Sequence, residues 1–145
     1  MPARLRVLIV ALFSMGLSAC GDPLSPFTLE AAFALPAGAE VPVGPVGAPT
    51  TWVIADTLRF FTDGTGEQRG TLETRLGPIT RQPTARSFRW ERTGPQLAVT
   101  WLLPCSPACD VVLSTTFYAL DADELRGEIG SEAVLYNRMS SARAP

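Results

Sequence analysis

No histidine occurs among the 145 residues, and that absence removes whole classes of chemistry. A Ser-His or Cys-His nucleophile pair has no base, and a metal would find no imidazole. Any catalysis would have to run on carboxylates, tyrosine or arginine. Lysine is missing too: all 12 basic residues are arginine. With abundant Ala, Gly and Pro, this reads as codon bias rather than function. Cysteines number only three, too few for a zinc site without histidine, and no pair has Cys-x-x-Cys spacing. No stretch repeats apolar residues with a sustained helical period.

What is present begins at the N-terminus. Arg4 and Arg6 precede an apolar run from Val7 to Phe13, and small residues then lead to Cys20. A charged head, apolar middle and small-residue exit make a secretory signal. Val7 to Ala19 is 13 residues. As a helix that is roughly 20 Å, short of the ~30 Å hydrocarbon core. Leu17-Ser18-Ala19-Cys20 resembles the lipobox of bacterial lipoproteins, and the resemblance implies that Cys20 is acylated and becomes the first mature residue. The expected organisation is a lipoprotein signal peptide over 1–19, an acylated tether over 20–26, a β-barrel-like domain over 27–138 and a disordered tail over 139–145. The chain is expected in the cell envelope, held to the membrane through acyl chains on Cys20. Where a cell has two membranes, Gly21 favours the outer one.

Removing the signal leaves ten arginines against 14 acids, a net charge of −4. That balance argues against a nucleic-acid partner, which calls for a basic surplus. Arginines are concentrated between Arg69 and Arg92, and acids between Asp110 and Glu132. Asp121, Asp123 and Glu124 lack the spacing of a calcium loop and read as turn acids between strands. Glu67, Glu73 and Glu91 have no accompanying motif for carboxylate-pair catalysis. No cofactor or metal site is expected.

The rest of the chain reads as β-structure. Phe27 to Ala34 forms a first candidate strand. Pro36 to Thr50, with four prolines and three glycines in 15 residues, reads as an extended surface stretch. Asp56 to Thr62 alternates, with Leu58 and Phe60 inward. Asp63-Gly64-Thr65-Gly66 turns the chain into Glu67–Leu76, and Ile79–Pro83 reads as loop. Ala85–Arg92 puts Phe88 and Trp90 inward, and Gln96–Leu103 does the same with Leu97, Val99 and Trp101. Val111–Leu120, Glu124–Ile129 and Ala133–Arg138 complete an all-β antiparallel meander of about eight strands. Closing it into a barrel removes the free edges.

The run Asp56-Thr57-Leu58-Arg59-Phe60, then Asp63-Gly64-Thr65, then an aromatic strand and Leu97-Ala98-Val99-Thr100, resembles small lipocalin-like bacterial envelope lipoproteins. The resemblance covers roughly 27–138 and implies a closed or nearly closed barrel with a non-enzymatic role. The chain lacks the Gly-x-Trp of lipocalins proper on its first strand. With Cys20 acylated, Cys105 and Cys109 remain to pair as a structural disulfide. Two roles follow. One is a carrier of a small apolar ligand, with Leu58, Phe60, Leu72, Phe88, Trp90, Val99 and Trp101 facing a lumen. The other is a non-catalytic structural or inhibitor-like module that binds an envelope protein. Phe61 and Leu102 fall on the outward phase and are the first places to look for such a surface.

Overall fold

The computed structural model describes residues 30–45, 47–105 and 109–140, with 104–105 and 109–110 described as backbone. Nine strands and no helix occupy them: β1 (Ala31–Ala34), β2 (Val41–Val43), β3 (Thr51–Phe60), β4 (Thr65–Thr74), β5 (Thr80–Thr93), β6 (Gln96–Cys105), β7 (Cys109–Leu120), β8 (Glu124–Ile129) and β9 (Glu132–Arg138). All pairings are antiparallel, and β3 to β9 follow one another as a meander. β1 pairs with both β3 and β9, closing an eight-stranded barrel; β2 adds a short strand along β3.

Local chemistry explains the tight turns. Asp63 Oδ1 accepts from the Thr65 amide (2.9 Å) and hydroxyl (2.6 Å), while Gly64 takes φ +81° between β3 and β4. Gly94 (φ +59°) does the same between β5 and β6. An L side chain is disfavoured in that left-handed region.

Two segments differ from the sequence reading. Val41–Val43, inside the Pro/Gly-rich stretch, is a strand, because Val41 and Val43 pair with Val53 and Thr51. β5 begins at Thr80 rather than Ala85, so most of the expected loop is paired to β4. Pro83 is tolerated there because β6 pairs with β5 only from Ser87 onward, so no ladder bond is lost on that side. Phe27, Thr28 and Leu29 of the expected first strand lie outside the described residues.

The meander fixes two ends. At one lie the β3–β4, β5–β6 and β7–β8 turns, the start of β1 at Ala31 and the end of β9 at Arg138. At the other lie the β4–β5 connection, the β6–β7 hairpin and the β8–β9 turn. The chain therefore enters the barrel at the end opposite the β6–β7 hairpin.

Candidate functional site

The interior is aromatic. Phe60 meets Phe33, Phe88 and Trp90 edge-on with ring centres 5.3–6.0 Å apart, and Phe88 meets Trp101 at 5.3 Å. Such contacts add to burial. Both deep indoles are hydrogen-bonded. Trp90 Nε1 donates to the Phe61 and Thr65 carbonyls (3.1 and 2.9 Å), fastening β5 to the β3–β4 turn. Trp101 Nε1 donates to the Thr116 hydroxyl on β7 at 2.8 Å. Of the expected lumen residues, Leu58, Phe60, Phe88, Trp90, Val99 and Trp101 are buried, and the half-buried Leu72 packs against them.

A polar cluster, missed in the sequence, sits among them. Asp56 on β3 is buried and its carboxylate accepts from Gln68 Nε2 on β4 (2.9 Å) and from the Tyr136 hydroxyl on β9 (2.7 Å). Burial pushes the Asp56 carboxyl above its usual range, against the hydrogen bonds from Tyr136 and Gln68. Burial, and then the Asp56 charge, push the Tyr136 phenol far above its usual range, so Tyr136 stays a donor. The signal was available: Asp56 lies two residues before Leu58 on the inward phase of its strand.

A second cluster lies at the surface. Glu73 is buried beneath Arg75 and Arg81, which donate to its two oxygens at 2.7 and 2.8 Å. Arg75 also grips Glu40 through both terminal nitrogens and lies 4.4 Å over the Trp52 ring. The Arg81 and Arg75 guanidiniums hold the Glu73 carboxyl below its usual range. These groups satisfy one another, which suits a brace between the β1–β2 connection and β4–β5. Among the described residues no three Asp, Glu or Cys side chains gather in a metal-binding arrangement.

Openings occur on the outside, where neighbouring strands part. β7 and β8 pair only at Ala119–Arg126 and Leu120–Leu125. Beyond that they diverge, leaving an open cleft of about 890 Å³ lined by Thr115, Phe117, Gly127 and Glu128 among others. The Tyr118 ring lies against Gly127 where they part, so close that a Cβ on Gly127 would sit 2.3 Å from it. β6 leaves β5 beyond Leu102, opening a cleft of about 770 Å³ between Pro83–Ser87 and Leu102, Leu103 and Leu113.

The far half of the β6–β7 hairpin thus projects as a two-stranded ribbon. Leu103, Val111, Val112 and Leu113 on it are 47–61% exposed. Leu76 and Ile79, in the connection at the same end, are 74% and 66% exposed. Phe61 is 38% exposed, as its outward phase predicts, whereas Leu102 is only 8% exposed. Cys105 and Cys109 are directly opposed in the β6–β7 register; their side chains lie outside the described residues, as does Cys20.

No family model, curated protein or solved structure matches this chain.

Proposed function

We propose that the chain is a non-catalytic interaction module of the cell envelope, lipid-anchored at Cys20, that engages a partner protein through the outside of its barrel. The barrel fold is equally compatible with a small-ligand carrier. What favours the surface is where apolar side chains remain uncovered. The residues marked out for a lumen pack on one another and on the Asp56–Tyr136 pair. Leu76, Ile79, Leu103, Val111, Val112 and Leu113 instead stand exposed at one end. Contiguous exposed apolar surface marks interaction sites. That clustering carries the proposal. An anchor on Cys20 feeds into the barrel at the opposite end, so the apolar end is turned toward partners away from the attachment point.

The test is site-specific photocrosslinking in cells with the full lipidated chain. A crosslinker at Val112 should give a discrete protein adduct, and one at Arg59, at the opposite end of the barrel, should not. Equal labelling at both sites, or none at Val112, overturns the module. Stoichiometric binding of a fluorescent fatty acid, with quenching of Trp90 and Trp101, would establish the carrier instead.

A further inference from the structure

Resting on that interaction reading, we infer that the partner is taken as an extended polypeptide strand, added to the open edge of β7 between Val111 and Phe117. β7 pairs with β6 from Cys109 to Ala119, with Leu113 bulged out of the ladder, yet with β8 only at Ala119 and Leu120. The backbone groups that point away from β6 before Ala119 therefore have no ladder partner. Unpaired strand edges are templates for another strand, and a recognised mode of peptide capture uses them.

β8 contributes a second edge. Beyond Arg126 it pairs with β9 alone, so Gly127 to Ile129 face the same cleft as β7. A single strand entering the cleft would meet hydrogen-bonding edges on both sides near its narrow end. The edge strand of another folded sheet has only one free side and could pair with only one of them. The cleft therefore selects an extended segment over another folded sheet.

Two other open edges are guarded. Pro83 interrupts the open edge of β5 and Pro104 that of β6, each removing a donor. β7 has no proline and no charged residue from Val111 to Leu120; its one irregularity is the bulge at Leu113. Proteins ordinarily protect such an edge with charge, proline or a cover. Along β7 the cleft wall carries no charge, and Arg126 and Glu128 of β8 bring the charges it has. Exposed Val111, Leu113 and Phe117 offer that segment apolar neighbours along the same strand.

The experiment uses the full lipidated chain in detergent and the probe peptide acetyl-TVTVTVTKK-amide. Amide hydrogen exchange over 111–117 should slow at least tenfold with the peptide, while exchange in β3 and β4 stays unchanged. A counterpart methylated at every backbone nitrogen should give no protection, because its methyl groups remove its donors and keep its carbonyls out of reach of the β7 amides. Leu113→Lys and Thr115→Lys, both at exposed positions, should abolish the protection and leave the far-UV spectrum intact. Equal protection by the methylated peptide, or none by the unmodified one, overturns strand addition. If the Val112 crosslink to a cellular protein persists in that case, the interaction module stands and only its mode falls.

Discussion

The Tyr136 hydroxyl donates a 2.7 Å hydrogen bond to Oδ2 of Asp56, joining β9 to β3 across 80 residues of chain. Barrel closure runs through β1, only four residues long, so this bond ties the two strands that β1 bridges. Tyr136→Phe leaves Asp56 with Gln68 as its remaining side-chain donor and is expected to lower stability by about 1–3 kcal/mol in urea titration. Asp56→Ala orphans both the phenol and the amide and should cost more. A Tyr136→Phe midpoint equal to wild type would show the bond to be energetically idle.

The same carboxyl predicts a pH dependence of definite sign. Burial raises Asp56 above its ordinary 3.8, so the folded chain keeps the proton to higher pH than the unfolded chain. That contribution is complete below the unfolded value and declines as pH rises through the folded one. Glu40 and Glu73 act oppositely: held below their ordinary 4.5, they stabilise above it and lose that effect as pH falls. Asp56→Asn isolates the first effect, because both proteins share the others. Unfolding free energy of wild type minus Asp56→Asn should decrease from about pH 4 to pH 7. A difference that is flat or rises with pH contradicts the assignment.

Alternation made most of the barrel readable. Leu58, Phe60, Phe88, Trp90, Val99 and Trp101 were placed inside because period two leaves no other face for them, and each is buried. Two bulges, after Val53 and after Trp101, shift the phase where the alternation gives no warning. Leu102 differs for another reason: it keeps the outward phase beside Trp101, yet neighbouring side chains cover it. β2 and the start of β5 were hidden by proline, which excludes a central strand but is tolerated at an edge. The surface features were the least legible. β7 and β8 part after two pairs where Tyr118 lies over Gly127, a contact no local pattern encodes.

That contact gives a third prediction. A Cβ at Gly127 would sit 2.3 Å from the Tyr118 ring, which is held in the core by Tyr136 at 6.3 Å between ring centres. Overpacking of this kind costs about 1–3 kcal/mol. Gly127→Ala should therefore destabilise the barrel, and Tyr118→Leu in the same chain should recover part of the loss. Additive effects of the two changes in urea titration would show that the ring and the glycine do not constrain each other.

The hairpin ribbon leads to the fourth. Directly opposed residues of an antiparallel pair have Cα atoms about 4.5–5.5 Å apart, inside the range a disulfide spans. The Cys105–Cys109 register meets that requirement at the backbone, so peptide mapping of the protein without reductant should recover one cross-linked peptide. The five-residue ring stabilises by about 2 kcal/mol in the chain-entropy model. Two titratable thiols in freshly isolated protein would refute the bond.

Anchoring at Cys20 is the fifth, and it would determine what the apolar end of the barrel faces. The chain enters β1 at Ala31, at the end remote from the ribbon. Acyl chains on Cys20 would hold the module by the opposite end, since several chains anchor where one does not. Mass spectrometry of the membrane fraction should find the mature N-terminus at Cys20 carrying lipid. Cys20→Ser should release the barrel from membranes with its fold unchanged, because no described strand depends on that residue. It should also weaken the Val112 crosslink if the partner is itself membrane-bound, through loss of local concentration rather than of contact. A Cys20→Ser protein that still sediments with membranes would overturn the anchor and return the exposed ribbon as the element that holds it there.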